Sequence, residues 1–146
     1  MSKPTQVDPR GLRFGAAITS VVVAVSLISP VKVAEVLLSL QVIVFALGAF
    51  GSLQRAPYGL LFAKLVRPRI GAPAETEDSR PPQFAQLVGF LFLVVALIGF
   101  FSGATVLGYI ATAFALVAAL LNASIGLCLG CELYLAFRRI SPAKAA

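Results

Sequence analysis

Three long stretches of this chain contain no aspartate, glutamate, lysine or arginine. They cover residues 14–31, 36–54 and 81–131. A bilayer core about 30 Å thick takes roughly 20 helical residues to cross, so each of the first two stretches suits one span. The third is too long for one span and fits two, with the helix-breaking pair Ser102-Gly103 between them. The uncharged stretches therefore predict an all-α, polytopic membrane protein with four transmembrane helices.

The predicted spans cover residues 14–30, 33–52, 84–102 and 105–128, within a single membrane domain of residues 1–146. Apolar side chains fall on all faces, and the strict alternation of barrel strands is absent. Hydrophobic residues make up 59% of the chain and charged residues 12%, whereas a soluble domain carries about 25% charged residues. This composition argues against a soluble enzyme, a disordered tail and a nucleic-acid-binding domain. The absence of histidine excludes imidazole chemistry.

The basic residues predict the orientation. With four spans, the N-terminal segment, the loop 53–83 and the tail 132–146 share one side of the membrane. All but one of the 12 basic residues lie there, and only Lys32 lies in the short opposite turn. The eleven are Lys3, Arg10, Arg13, Arg55, Lys64, Arg67, Arg69, Arg80, Arg138, Arg139 and Lys144. The positive-inside rule then places both termini in the cytoplasm, and the net charge of +6 requires no nucleic-acid partner.

The loop begins with a short amphipathic segment at residues 57–67. Its apolar residues share one face and its basic residues the other, which predicts an interfacial helix on the cytoplasmic leaflet. Pro68 is expected to end this helix. A sharper hypothesis makes the segment a docking surface for a soluble partner, with Lys64, Arg67 and Arg69 as the contacts.

The rest of the loop, residues 71–82, is rich in glycine, proline and acidic residues. This pattern predicts a mobile acidic turn. Glu75, Glu77 and Asp78 are the acids in question. Three acids in a proline-flanked loop are usually solvated, so no metal site is predicted.

The one motif that carries chemistry is Gly-Leu-Cys-Leu-Gly-Cys-Glu at residues 126–132. The spacing of Cys128 and Cys131 puts both thiols on one face and allows a disulfide to close. A cytoplasmic location keeps thiols reduced, so a transient disulfide is expected rather than a permanent one. Cys131 is the predicted attacking thiol and Cys128 the resolving thiol, with Glu132 as a proton acceptor.

The local helix structure decides how reactive these thiols are. At the C-terminal end of the fourth span, the helix dipole raises the thiol pKa. If Gly126 and Gly130 break the helix, residues 132–140 become a separate helix whose N-terminus faces the thiols. Four interpretations stay open: a relay passing electrons or sulfane sulfur to a soluble partner, simple packing, a metal site completed by a second chain, and lipid attachment.

Polar residues inside the predicted spans are further candidates. Asn122 lies in an apolar part of the fourth span and needs a hydrogen-bond partner, expected on another helix. Gln41 lies mid-span in the second helix, and Glu35 is expected to pair with Lys32 near the outer interface. Because none of them is a charge deep in the bilayer, small-solute transport is disfavoured.

Several stretches match a known family, namely residues 7–11 and 13–14, 65–69, 84–86 and, above all, 121–134 with its Cys-Leu-Gly-Cys-Glu block. Through them the chain resembles the domain-of-unknown-function 4395 family of small bacterial integral membrane proteins. The resemblance covers nearly the whole chain. It implies four spans in a bacterial inner membrane but supplies no activity. Members look associated with thioredoxin-like and sulfurtransferase proteins, which favours the relay hypothesis.

The leading hypothesis is therefore a four-span protein whose dithiol exchanges electrons or sulfur with a soluble partner docked on the basic loop. The alternative is a non-catalytic membrane anchor or assembly subunit. No cofactor is predicted, and a homo-oligomer stays open.

Overall fold

The computed structural model describes residues 5–140. In chain order the elements are β1 (Gln6–Val7), α1 (Pro9–Ile28), α2 (Val31–Phe50), α3 (Pro57–Leu61), a π-helical turn (Phe62–Val66), α4 (Arg67–Ile70), β2 (Glu77–Asp78), α5 (Arg80–Ser102), α6 (Thr105–Ile125) and α7 (Leu129–Ile140). Lys3, Lys144 and the tail beyond residue 140, all used to predict the orientation, lie outside the described residues.

Helices α1, α2, α5 and α6 are each long and apolar enough to cross a membrane. Large hydrophobic side chains stay exposed along all four, among them Val21, Leu40, Ile98 and Phe114. In water such surfaces drive association, whereas in a bilayer lipid chains solvate them. The predicted fold class, an all-α multi-pass membrane protein with four spanning helices, is confirmed.

The four spanning helices form a ring in which α1 and α5 each pack on both α2 and α6. Leu38 and Leu93 are fully buried at its centre. The turn between α5 and α6 holds Gly103 at a φ of +87°, a conformation that favours glycine. Beside this turn the two helices nearly touch, since a Cβ on Gly99 would lie 2.6 Å from the backbone nitrogen of Gly108.

Buried polar groups are satisfied between the helices. The Gln41 amide nitrogen donates to the Thr19 hydroxyl at 3.2 Å, and the Tyr58 hydroxyl donates to the Gln41 amide oxygen at 2.6 Å. Gln41 thereby ties α2 to α1 and α3, which is how apolar helices commonly use an interior polar residue. At the other end of α2, Lys32 Nζ lies 3.2 Å from Glu35 Oε2, so the predicted ion pair is present.

The prediction that Pro68 ends the loop helix is wrong, because helical structure runs on to Ile70. The π-helical turn absorbs the proline, since the Arg67 N–H donates to the carbonyl of Phe62, one residue farther back than in an α-helix. Pro68 then lies in the first turn of α4, where its missing N–H is not needed. The segment ends at Gly71, whose φ is +77°.

The apolar residues of this segment divide between two surroundings. Phe62 is buried against α1, where its ring lies 5.7 Å from that of Phe14. Leu61 and Leu65 are exposed instead of sharing its environment. The segment is therefore anchored to the bundle through Phe62 and turns two leucines outward, as an interfacial segment needs.

The acidic turn, expected to be mobile, is tied to the N-terminal segment. β1 pairs with β2 in an antiparallel ladder, and the Ser79 N–H donates to the Thr5 carbonyl at 2.9 Å. The Arg10 guanidinium adds a bond to the Gly71 carbonyl at 2.8 Å. The prediction missed these contacts because they join segments far apart in the sequence.

Of the three acids of this turn, Asp78 makes an ordinary charge pair. Arg80 binds Asp78 at 2.6 Å, and its hydrogen bond holds the pKa of that carboxyl below its usual value. Glu75 and Glu77 are exposed. Among residues 5–140, no group of three histidine, cysteine or acidic residues is arranged to hold a metal ion.

Candidate dithiol site

Helix α6 ends before the cysteines. Gly126 adopts a φ of +73°, in the left-handed region that favours glycine. Its N–H donates to the Asn122 carbonyl at 3.1 Å, and the Leu127 N–H donates to the Leu121 carbonyl at 3.2 Å. These bonds satisfy carbonyls of the last turn of α6. The helix therefore breaks at Gly126, whereas Gly130 lies inside the next helix.

The two cysteines lie at the start of α7. Cys128 directly precedes the helix and Cys131 lies in its first turn. The two are joined by a disulfide, with their Cα atoms 5.2 Å apart. The backbone N–H of Cys131 donates to Cys128 Sγ at 3.2 Å, and the Glu132 N–H donates to the Cys128 carbonyl at 3.0 Å. Cys128 thus occupies the position of an N-cap residue.

Two helix ends lie near Cys128. The N-terminus of α7 presents the positive end of its dipole to the sulfur. The negative end of α6 is close in sequence, but Arg13 covers it. The Arg13 guanidinium donates to the carbonyls of Ala123 and Ser124 at 3.2 and 2.9 Å. Arg13 therefore offsets the helix end that was expected to raise the thiol pKa.

Helix α7 is held against the N-terminal end of α5. A Cβ on Gly130 would lie 2.5 Å from the Cα of Ala85, so only glycine permits this approach. The rings of Tyr134 and Phe137 pack on Phe84, with centroid distances of 5.8 and 6.0 Å. Contacts on one face of α7 thus fix where its N-terminus, and with it Cys128, lies.

Both cysteines are half-buried and line a cavity of about 190 Å³. Its polar wall comes from Arg13, Gln86, Asn122 and Glu77. Residues from the starts of α1 and α5 complete it, so the cavity lies at the end of the bundle that carries the loop and the N-terminal segment.

Of the other predicted site residues, Asn122 and Glu132 lie beside the cysteines and Gln41 does not. The Asn122 side chain makes no hydrogen bond to another of residues 5–140, contrary to expectation, because it lines the cavity instead of a helix interface. Gln41 is buried in its own network. Glu132 is exposed in the first turn of α7.

The predicted docking residues Lys64, Arg67 and Arg69 are exposed on the loop, and none of them lines the dithiol cavity. Sequence analysis did not assign Gln86 or Glu77 to the site. The signal available for Gln86 was its position in the Phe-Ala-Gln stretch at residues 84–86.

The family model described as Domain of unknown function (DUF4395) matches residues 7–139. This match takes in all four spanning helices, both cysteines and most of α7. Comparison with curated proteins and with solved structures finds no match to the chain. The resemblance predicted from the Cys-Leu-Gly-Cys motif is confirmed, and the chain belongs to the DUF4395 family.

Proposed function

We propose that this membrane protein exchanges electrons with a soluble protein through its Cys128–Cys131 pair. The observation that carries the proposal is the position of Cys128 Sγ at the N-terminus of α7, within hydrogen-bond distance of the Cys131 N–H. Dithiol oxidoreductases use a helix N-terminus in this way to stabilise a thiolate. The half-buried position of both sulfurs beside an open polar cavity also supports exchange.

The roles of the two thiols are reversed from the sequence-based prediction. Cys128 is the proposed attacking thiol, because its sulfur accepts the helix N–H and faces the positive end of the dipole. Cys131 is the resolving thiol within the first turn. Glu132, exposed in the same turn, is the proposed acceptor for the proton that Cys131 releases.

The proposed exchange balances two electrons and two protons. The Cys128 thiolate attacks one sulfur of a partner disulfide, which breaks the partner's S–S bond and forms a mixed disulfide. The partner's released thiolate takes up a proton. Cys131 then loses its proton and attacks Cys128 Sγ, which closes the disulfide and releases the second partner thiol. The reverse sequence reduces the pair.

The partner is proposed to be a soluble thioredoxin-like protein in the cytoplasm. The exposed Lys64, Arg67 and Arg69 supply a positive surface on the loop side of the bundle. A sulfur relay would use the same Cys128 thiolate as a persulfide carrier. Electron exchange is favoured, because the two sulfurs are close enough to close on each other.

Single-cysteine variants test the roles and the sidedness together. Oxidised glutathione does not cross membranes, so it reports the accessible face. In everted vesicles, C131S is expected to form a glutathione mixed disulfide roughly tenfold faster than its matched control C128S, which corresponds to about 1.4 kcal/mol in the barrier. In right-side-out vesicles, neither variant should react with oxidised glutathione. Equal rates for the two variants would contradict the assigned roles, and labelling only in right-side-out vesicles would contradict the orientation.

The alternative is a non-catalytic anchor or assembly subunit. The exposed apolar residues of α7, including Leu133 and Phe137, favour it, since they offer a surface beyond the dithiol. This alternative requires the double variant C128S/C131S to retain full function, while R67E removes a co-purifying partner.

A further inference from the structure

A second cavity lies next to the dithiol site, inside the bundle. It has a volume of about 260 Å³ and is walled by α1, α2, α5, α6 and α7. Its α5 and α6 walls lie farther along the hairpin than the close contact of Gly99 with Gly108, toward the end where α7 packs on α5. Gln86, Asn122 and Cys128 line both cavities, so Cys128 adjoins the dithiol cavity and the more apolar inner one.

The walls of this inner cavity are apolar and aromatic. Phe45, Phe92 and Phe114 contribute rings, and small alanine side chains of α6 leave the space between them. Phe92 and Phe114 are also exposed on the outer surface of α5 and α6. In a spanning bundle those surfaces face lipid, so this side of the cavity borders the bilayer. Gln86, Asn122 and Thr19 are the polar residues on its wall, and the first two also line the dithiol cavity.

We propose that the inner cavity binds the ring of a lipid-soluble quinone, which accepts the two electrons of the reduced Cys128–Cys131 pair. This inference rests on the proposed thiol exchange and names its membrane-side substrate. A quinone ring matches apolar, aromatic walls, and its carbonyl oxygens accept hydrogen bonds from the amides of Asn122 and Gln86. Its isoprenoid tail would leave past Phe92 and Phe114 into lipid.

The size and charge of the site agree with this ligand. Small-molecule sites usually measure roughly 300–1,000 Å³, so a cavity of about 260 Å³ takes a single substituted ring and no large cofactor. Arg13 supplies a positive charge on the wall of the adjoining chamber.

The reaction is balanced by two thiols and one quinone. The Cys128 thiolate adds to a ring carbon, which forms a C–S bond and moves an electron pair onto a carbonyl oxygen that takes a proton. The Cys131 sulfur then attacks Cys128 Sγ. The S–S bond forms as the C–S bond breaks, and the electron pair returns to the ring, whose second oxygen takes the proton released by Cys131. The products are the disulfide and the quinol.

Mixing the reduced protein in lipid nanodiscs with decyl-ubiquinone, without oxygen, tests the proposal. The absorbance of the quinone should fall in proportion to the protein, while maleimide labelling shows both thiols disappearing. A118F fills the cavity and should slow quinone reduction roughly tenfold, because Ala118 lines it. The matched control A113F places the same ring on the exposed face of α6 and should react like the wild type. C128S/C131S should consume no quinone.

Exchange with oxidised glutathione, measured on the same samples, separates the two proposals. A118F should retain this exchange, which also shows that it is folded. N122L replaces the amide with an apolar group of similar size and should slow quinone reduction at sub-saturating quinone, because it removes a proposed hydrogen bond to the ring. Quinone reduction by A118F and N122L at the wild-type rate would overturn the quinone site and leave thiol exchange standing. Absence of glutathione exchange in the wild type would overturn the proposed function itself.

Discussion

The two ends of the α5–α6 hairpin are built in opposite ways. At the turn, Gly99 and Gly108 bring the helices into backbone contact. At the other end, two cavities are lined by residues of both helices, and α7 packs on α5 through Gly130 and the rings on Phe84. The closed end stabilises the bundle, while the open end leaves room for a ligand and for a cysteine pair at a helix N-terminus. Tight packing and candidate chemistry are therefore assigned to different ends of one hairpin.

The largest effect is expected at the closed end. G99V places a side chain against the backbone of Gly108, which cannot move without separating α5 from α6. Overpacking of this kind costs about 3 kcal/mol. Thermal unfolding in detergent, compared with A113V on the exposed face of α6, measures the loss. A G99V protein as stable as A113V would show that the helices are not in close contact at the turn.

A smaller and more local effect is expected at the open end. G130V forces α7 away from Ala85, at a cost of about 2 kcal/mol. Because α7 packs mainly on α5, the spanning bundle should keep its unfolding temperature while the amides of α7 lose hydrogen-exchange protection. A136V changes the same helix at an exposed position and serves as the control. An equal loss of hydrogen-exchange protection throughout the bundle would contradict the proposed difference between the two ends of the hairpin.

The spanning helices were predictable from the sequence, because the bilayer itself dictates them. Every backbone group in lipid must be paired within a helix, so the uncharged stretches predicted four spanning helices. Features that depend on packing at the loop side were not predictable. The passage of the helix through Pro68 depends on a widened turn, and the β1–β2 ladder joins segments that are distant in sequence.

The candidate site likewise has local features that the sequence predicts and packing features that it does not. The spacing of Cys128 and Cys131 predicted that their sulfurs can meet, because it depends only on local geometry. The first residue of α7 decides which sulfur caps the helix, and that register follows from the contact of Gly130 with Ala85. Cys131 was predicted as the attacking thiol because it lies on the solvent side, whereas the proposal assigns that role to Cys128 at the helix N-terminus. Arg13 was noticed as a basic residue at a span end, but its bonds to the last carbonyls of α6 required the packed structure.

The central claim is that the N-terminus of α7 activates Cys128, and the pH dependence of alkylation tests it most directly. Iodoacetamide reacts with the thiolate, so its rate against pH gives the pKa of the single thiol in C131S and in C128S. The account predicts that Cys128 titrates well below the ordinary thiol value of about 8.5 and that Cys131 does not. A Cys128 pKa at or above that value, or a lower pKa for Cys131, would contradict it.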